Sequence, residues 1–536
     1  MTLWNRATTT DNVWNLQSVQ RPWSGDISAY DHIRKYLTDP DRQRTRNAET
    51  LPDEKPAVAG EVRWSSGALE GNFGRGDVPH GLARRVLRAL SAVVANCTTA
   101  NVQKLYALLI ADSVPSFVDD LLPLITKQHA VDADRLKALA IWLAKHAPDR
   151  AAVKVAIAIL GVVTPFDQRD LIITLGAHDE FTLYAAVALR NGTRGNCERE
   201  LMQMAEHVHG WGRVAIVDRL ALTTSATTKA WLLREGYKVM CYYMTAYTCA
   251  TAGDLRRALA DEHVDDALLI GAGVILSTLV DGNPCRDIED YDDGIFVVER
   301  YLQHVVVLPK QIDFLVTIES LQAFLRRKTE RPRPRAELGW TPDRCASIAA
   351  TMARVTADPA WRPIVAAALA SSDNKVFGAA TAAARAIGDD PWPHQFARLV
   401  GGDRDQWWHV MQTKDAARVE QVVAFAIQSL PLAQIATRDT FPLRNRSLSA
   451  GYEDLRHVLQ ELTRFSGIGW ALLHAGIRSA DSENRWWALN SLSQWPRTIW
   501  PDDARRTLLE AQRLEPKKEL RRRMKRVLAG KALDVD

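Results

Sequence analysis

Short helical patterns dominate the sequence from residue 81 onward, and this feature limits the fold more than any other. In ERELMQMAEHV, Leu201, Met204, Ala205 and Val208 recur at i, i+3, i+4 and i+7, which places them on one side of a helix. Similar segments of about 12 to 18 residues follow one another with short breaks, and alternating strand patterns are nearly absent. The sequence therefore predicts an all-α fold.

The helical segments alternate in how much of their surface is apolar. DLRRALADEHV keeps a polar face, whereas DALLIGAGVILSTLV, which follows it, is apolar almost all round. A half-exposed helix followed by a buried one is what a two-layer stack of helices requires. We expect antiparallel helix pairs stacked as an α-solenoid of the HEAT or armadillo kind.

Composition changes along the chain divide it into four parts. Residues 1–80 are polar and irregular, which predicts an irregular N-terminal segment with a Gly-rich loop. Residues 81–325 form a helical repeat region. The stretch RRKTERPRPRAELGWTP, residues 326–342, predicts an Arg/Pro linker because its prolines disfavour helix. Residues 343–536 form a second repeat region that ends in a basic capping helix.

The segment PAWRPIVAAALASSDNKVFGAATAAARAIGDD predicts a helix, a tight turn and a second helix, with Asp373 or Asn374 as the N-cap. A proline in the first helix, an Asp/Asn turn and an alanine-rich second helix resemble HEAT-type repeats. The resemblance covers residues 340–536, and residues 100–310 more loosely. It implies a curved α-solenoid whose concave face binds a protein or a nucleic acid.

Charge and cysteine usage limit the environment of the protein. The net charge is only +4, so no global field draws the chain onto nucleic acid or membrane. No apolar run approaches the roughly 18 to 20 residues of a membrane-spanning helix, which predicts no membrane association. The six cysteines form no CxxC pair and fit no zinc or haem pattern. These features are typical of a cytoplasmic protein with reduced thiols.

Two tryptophan pairs, Trp407-Trp408 and Trp486-Trp487, lie 79 residues apart, about twice a repeat of roughly 40 residues. Adjacent side chains on a helix point about 100° apart, so one ring can fill the interior while its neighbour covers the next seam. We interpret the pairs as packing residues. The alternative is an exposed aromatic platform that stacks a base or a partner side chain.

The motif HGWGRVA comes closest to a nucleotide-binding fingerprint. Gly210, Gly212 and Ala215 satisfy G-x-G-x-x-A, and Glu235 lies about 20 residues further on, where a ribose-binding acid would stand. Pyrophosphate binding requires these glycines to follow a strand and open a helix, whereas an amphipathic helix precedes them here. A turn between two helices is the favoured interpretation. We predict no cofactor, and NAD(P) only if the chain is an oxidoreductase.

The Gly-rich stretch RWSSGALEGNFGRGDVPHG contains candidate anion-binding residues. Glycines let backbone amides approach an anion closely, and an arginine would add charge. The alternative is a loop that covers the end of the helical stack. The candidates are Gly71, Gly74, Arg75 and Gly76.

The basic C-terminus, EPKKELRRRMKRVLAGK, predicts a helix with Leu520, Met524, Val527 and Leu528 as its buried stripe. A solvated capping face is the favoured interpretation, and a phosphate-contacting patch is the alternative. The candidates for nucleic-acid contact are Arg521, Arg522, Arg523, Lys525 and Arg526.

We predict no metal site. The acidic stretch RDIEDYDD lacks the glycine and the glutamate that an EF-hand loop needs. His178 and Glu180 form an H-x-E pair, but residues two apart on a helix point to opposite sides.

Three stretches of the sequence resemble a family of bacterial proteins, some of which carry the label limonene hydroxylase. They are RWSSGALEGNFG (63–74), TLGAHDEFTLYAAVAL (174–189) and VHGWGRVAIVDRLALTTSATTKAWLLREGY (208–237). The resemblance covers about residues 60 to 310 and the closing WW helix. It implies monoterpene hydroxylation or alcohol oxidation with a nicotinamide cofactor, and it assigns no catalytic residue in this chain.

Taken together, these patterns favour a non-catalytic helical-repeat scaffold that binds a macromolecular partner, most simply a protein on its concave face. The alternatives are an oxidoreductase acting on monoterpenes and a nucleic-acid-binding protein that uses its basic faces.

Overall fold

The computed structural model describes most of the chain. The described residues are 14–25, 27–38, 50–54, 64–69, 81–127, 132–163, 167–192, 197–282, 285–330, 339–437, 446–531 and 533. Within them the chain forms α-helices with short 3₁₀ and π turns, and no β-strand. The predicted all-α class is therefore confirmed.

The chain divides into two compact units, residues 1–361 and 362–536. The helices of the first unit are α1 (Ala29–Leu37), α2 (Leu82–Ala95), α3 (Thr99–Ala111), α4 (Val118–Lys127), α5 (Ala133–His146), α6 (Arg150–Val163), α7 (Arg169–Gly176), α8 (Asp179–Gly192), α9 (Glu198–Ala205), α10 (Trp211–Arg219), α11 (Ala226–Trp231), α12 (Tyr242–Ala252), α13 (Leu255–Ala260), α14 (Asp266–Val280), α15 (Gly294–Val307), α16 (Ile312–Glu330) and α17 (Pro342–Thr356).

Helix α18 (Trp361–Leu369) begins at the boundary between the units. The helices of the second unit are α19 (Asn374–Ala386), α20 (Trp392–Val400), α21 (Gln406–Met411), α22 (Ala416–Ser429), α23 (Leu432–Ile435), α24 (Arg446–Glu461), α25 (Trp470–Ile477), α26 (Ser482–Ser493), α27 (Ala504–Leu514) and α28 (Lys518–Leu528).

Even-numbered helices form a continuous row in the first unit. Each of them, from α2 to α16, packs against the next even-numbered helix. Two helices of this row, α6 and α14, are apolar on most sides, and ten residues of each are buried. The burial of DALLIGAGVILSTLV in α14 confirms the prediction for that segment.

The second unit shows two rows of this kind. Helices α21, α24, α26 and α28 pack in series, as do α22, α25 and α27. Neighbours in sequence, α25 with α26 and α27 with α28, also pack against each other across the rows. A shared apolar core runs through these helices, from Trp392 to Val527.

Small residues set the spacing between adjacent helices. A Cβ atom on Gly161 in α6 would lie 2.7 Å from the Cα atom of Ala188 in α8. The two helices therefore approach so closely that only glycine fits at this point.

The N-cap of α19 and the linker at residues 326–342 are both predicted from local sequence. Asp373 caps α19, since its side chain accepts the amides of Lys375 and Val376 at 2.7 and 3.1 Å. Helix α16 continues to Glu330, and residues 331–338 of the predicted linker lie outside the described residues. Among the helices that the structure describes, none has the length and apolar character needed to cross a membrane.

Candidate functional site

Three segments that are distant in sequence meet at one place in the first unit, which we call the junction: residues 64–69, 178–182 and 208–212. The amide of Gly67 donates to Oε2 of Glu180 at 2.9 Å. The amides of Gly210 and Gly212 donate to Oδ1 of Asp179 at 3.1 and 2.7 Å. The three segments lie within residues 63–74, 174–189 and 208–237, respectively.

Asp179 binds the N-terminus of a neighbouring helix. The first amides of any helix lack partners within it, and here Asp179, at the start of α8, accepts them from the start of α10. A Cβ atom on Gly212 would lie 2.4 Å from Oγ1 of Thr182 and 2.9 Å from Oδ1 of Asp179. The close approach of α8 and α10 therefore accounts for the glycine at 212.

A buried ion cluster lies beside the junction. Nζ of Lys154, in the apolar helix α6, lies 2.6 Å from Oε1 of Glu180, and both side chains are almost fully buried. Nη1 of Arg150 lies 3.6 Å from the same oxygen. Arg150 also binds the carboxylates of Asp53, at 3.0 Å, and Glu54. The cluster thus ties residues 50–54 and 64–69 to α6 and α8.

The charges of the cluster determine the ionisation of its members. Burial alone would raise the pKa of Glu180, but the positive charges of Lys154 and Arg150 and the hydrogen bonds from Lys154 and Gly67 outweigh it and lower the pKa to about 2. Burial alone would lower the pKa of Arg150, but the carboxylates of Asp53, Glu180 and Glu54 raise it above its ordinary value.

These values indicate what the cluster does chemically. A carboxyl group with a pKa of about 2 is ionised at neutral pH and is a weak base, so Glu180 is poorly suited to proton transfer. Both of its oxygens already accept hydrogen bonds. The imidazole of His178 accepts the amide of Glu180 at Nδ1, 3.2 Å away. These contacts hold segments of backbone together.

The candidate cofactor residues are placed as follows. Gly210 follows helix α9 and precedes α10, and its amide and that of Gly212 are bound by Asp179. Ala215 lies inside α10. Glu235 lies in a π turn, where its carboxylate is 2.7 Å from Nζ of Lys238. The backbone amides of Gly210 and Gly212, which would bind the pyrophosphate in a G-x-G-x-x-A site, thus already donate hydrogen bonds to the carboxylate of Asp179.

The candidate anion-binding residues Gly71, Gly74, Arg75 and Gly76 lie outside the described residues.

The basic candidates lie on α28. Arg522 and Arg523 bind Glu519 at 2.8 and 3.0 Å, and the guanidinium of Arg521 donates to the carbonyl of Glu515, from Nε at 2.8 Å. Lys525 is exposed and Arg526 is half-buried. The predicted buried stripe is confirmed at Leu520, Met524 and Val527, whereas Leu528 is only half-buried.

A basic groove lies where the chain enters α27 and leaves α28. It has a volume of about 440 Å³, and Arg497, Trp500, Arg505 and Leu528 are among the residues that line it. The guanidinium carbon of Arg497 lies 3.8 Å from the centre of the Trp500 ring, which is a close cation–π contact.

The tryptophan pairs take part in packing. Trp407 is 3% exposed and belongs to the core of the second unit, and its neighbour Trp408 is 42% exposed. Trp486 and Trp487 are half-buried against the same core, with their rings nearly perpendicular and 4.4 Å apart. The packing interpretation is thus confirmed for three of these rings, and Trp408 presents part of its surface to solvent.

Sequence analysis missed two charged features. Lys154 lies within an apolar run, RAAVKVAIAILGVV. Because a buried lysine needs a counter-charge, this pattern could have predicted a buried acidic partner. The second feature is a basic groove between α2 and α3. Residues 82–111, which include both helices, contain four Lys or Arg residues and no Asp or Glu, and this charge bias could have predicted a basic surface.

No group of three or more His, Cys, Asp or Glu side chains that could hold a metal ion occurs among the residues described. No protein-family profile matches the chain, and no curated protein matches it significantly. A crystal structure of an engineered protein from the Northeast Structural Genomics Consortium aligns with 83% of this chain and 98% of its own, at 13% identity and a TM-score of 0.22. A similarity this low carries no argument about fold or function.

Proposed function

We propose that this protein is a non-catalytic helical-repeat scaffold that binds a partner protein. The observation that carries the proposal is the row of even-numbered helices from α2 to α16, each packed on the next. In repeat proteins such serial packing builds α-solenoids, in which every unit contacts only its neighbours and a long surface is left for binding. The two rows of the second unit support the same interpretation.

The chemistry of the junction is compatible with a scaffold. Asp179 binds the amide of Gly212, and Glu180 binds the amide of Gly67 and the ammonium group of Lys154. A polar cluster whose members satisfy one another stiffens a helical stack.

The test is recovery of the partner. The full-length protein is tagged at its own locus, cross-linked in its native cells and purified, with an unrelated tagged helical protein as the control. We expect a specific protein to be enriched, and the same protein to form a saturable complex with the purified chain in calorimetric titration. Repeated recovery of no specific protein would overturn the proposal.

Nucleic-acid binding is a second candidate, favoured by the charge of the C-terminal region. Residues 497–531 contain 12 Lys or Arg and 5 Asp or Glu, an excess larger than the net charge of +4 of the whole chain. Glu515 is buried against Arg485, and Glu519 binds two arginines of its own helix. Arg513, Lys518 and Lys525 of this region are exposed, where they can contact phosphate groups.

Salt dependence tests the second candidate. We expect a labelled oligonucleotide to bind with an affinity that falls steeply between 50 and 200 mM salt, as phosphate contacts require. Replacing the exposed residues Arg513, Lys518 and Lys525 by Ala should make this dependence shallower. Fluorescence anisotropy measures both effects, and an oligonucleotide that stays unbound at low salt would exclude this function.

A further inference from the structure

Helices α2 and α3 enclose a groove with a volume of about 410 Å³. Arg85, Arg88, Ala89 and Ala92 line it from α2, and their spacing of three and four residues places them on one side of that helix. Asn101, Lys104 and Leu108 line it from α3, again at helical spacing. Two helix faces therefore confront each other across the groove.

The lining of the groove combines apolar and cationic residues. Ala89, Ala92 and Leu108 contribute the apolar surface, and the alanines leave space for a side chain of a ligand. The side-chain amide of Asn101 donates to the carbonyls of Ala92 and Asn96 at 3.3 and 2.9 Å. Asn101 therefore connects α3 to the turn that joins the two helices.

The cations of the groove have no acidic counterpart nearby in sequence. Residues 82–111 include no Asp or Glu, and Arg85, Arg88 and Lys104 are exposed. None of the three forms an ion pair with another described residue, whereas Arg150, Arg344 and many other cations of the first unit do. A groove with three positive charges that pair with no carboxylate in the described part of the chain attracts a ligand that carries carboxylates.

We propose that this groove binds an acidic, amphipathic peptide segment of the partner protein. The proposal rests on the scaffold function stated above and identifies the partner's chemistry. One or two apolar side chains of the segment lie on Ala89, Ala92 and Leu108, while flanking Asp or Glu side chains bind Arg85, Arg88 and Lys104.

Two features favour a peptide over a nucleic acid. The residues that line the groove include no aromatic ring on which a base could stack. The lining of α2 extends from Arg85 to Ala92, or roughly 10 Å at 1.5 Å per residue, which suits a few side chains better than a long track of phosphates.

Peptide selection tests the proposal directly. A displayed library of random 12-residue peptides is selected on the full-length protein, on the variant Arg85→Glu/Arg88→Glu/Lys104→Glu, and on a control variant. The control, Lys127→Glu/Lys145→Glu/Arg257→Glu, makes the same change in net charge at exposed positions of other helices in the first unit. Circular dichroism and thermal unfolding establish that all three proteins are folded.

We expect the unaltered protein and the control variant to enrich peptides that combine Asp or Glu with apolar residues. The groove variant should lose this enrichment, and a synthetic peptide from the selection should bind it at least tenfold more weakly in fluorescence anisotropy. The Asn/Gln version of that peptide should lose binding as well. No enrichment, enrichment of peptides without acids, equal binding by the groove variant, or tighter binding of an oligonucleotide in the groove would each overturn the proposal.

Binding of the recovered partner to the three proteins distinguishes failure of this proposal from failure of the scaffold function. A partner that binds the unaltered protein and the control variant but not the groove variant supports both. A partner that binds the groove variant equally well supports the scaffold and overturns the groove. Selection of acidic peptides by a protein that retains no partner supports the groove and overturns the scaffold.

Discussion

Lys154 shows how a single side chain can depend on residues far away in sequence. It lies in the most apolar part of α6, where an isolated charge would be unstable. Its ammonium group is stabilised by Glu180 of the next even-numbered helix, 2.6 Å away. Removing one member of such a pair leaves the other charge buried and unpaired.

The substitution Glu180→Gln should therefore lower the free energy of unfolding by about 3–5 kcal/mol at neutral pH, because Lys154 loses its counter-charge. Urea denaturation followed by circular dichroism measures this change. The control is Glu262→Gln, at an exposed position, where we expect a change within about 0.5 kcal/mol. Equal effects of the two substitutions would show that the buried pair contributes little.

The stability of the protein should also depend on pH through Glu180. Its pKa is lowered from 4.5 to about 2 in the folded state, so its contribution is fully present above pH 4.5 and is lost as the pH falls toward 2. The contribution at neutral pH is about 3 kcal/mol by the usual conversion of 1.36 kcal/mol per pKa unit. Denaturation curves of the unaltered protein and Glu180→Gln between pH 2 and 7 should converge at the acidic end. Curves that stay parallel throughout would contradict this origin.

At the scale of the element, glycines decide how closely helices pack. Gly161 lies where α6 meets Ala188 of α8, and a Cβ atom there would be 2.7 Å from the Cα atom of Ala188. Gly378, in α19, is also inside a helix, but a Cβ atom there would have no neighbour within 4 Å. The two positions offer a matched comparison of the same substitution.

Gly161→Ala should destabilise the first unit by about 1–3 kcal/mol, because α6 and α8 must move apart to accommodate the methyl group. Gly378→Ala should stabilise the second unit by about 0.5–1 kcal/mol, because alanine has the higher helix propensity and no clash. Chemical denaturation of each variant gives both values. The same sign at both positions would show that the spacing of α6 and α8 is more adaptable than the structure indicates.

At the scale of the whole molecule, the chain forms two compact units, each with its own apolar core and buried ion pairs. Arg485 and Glu515, 5% and 0% exposed, form such a pair in the second unit at 2.7 Å. In a stack where helices contact mainly their neighbours, loss of one contact is felt first by the adjacent helices.

Arg485→Met should destabilise the second unit by about 3–5 kcal/mol, because Glu515 stays buried without its partner. Hydrogen exchange followed by mass spectrometry should show faster exchange in peptides from residues 446–531, while peptides from residues 132–192 keep their protection. Arg513→Met, at an exposed position of the same unit, is the control and should change neither. Faster exchange spread evenly over both ranges would contradict separate units.

The sequence alone determined the all-α class and the burial of α14, narrowed the cap of α19 to Asp373 or Asn374, and located three residues of the buried stripe of α28. Each of these features depends on residues within one or two helical turns, where the period of 3.6 residues relates position directly to burial.

Only the tertiary structure decided which distant residues meet. Asp179 binds the amides of Gly210 and Gly212, more than 30 residues away, and Lys154 pairs with Glu180. The basic groove between α2 and α3 likewise depends on how two helix faces are turned toward each other. Such contacts depend on the rotation and spacing of whole helices, which many residues set together and no local pattern specifies.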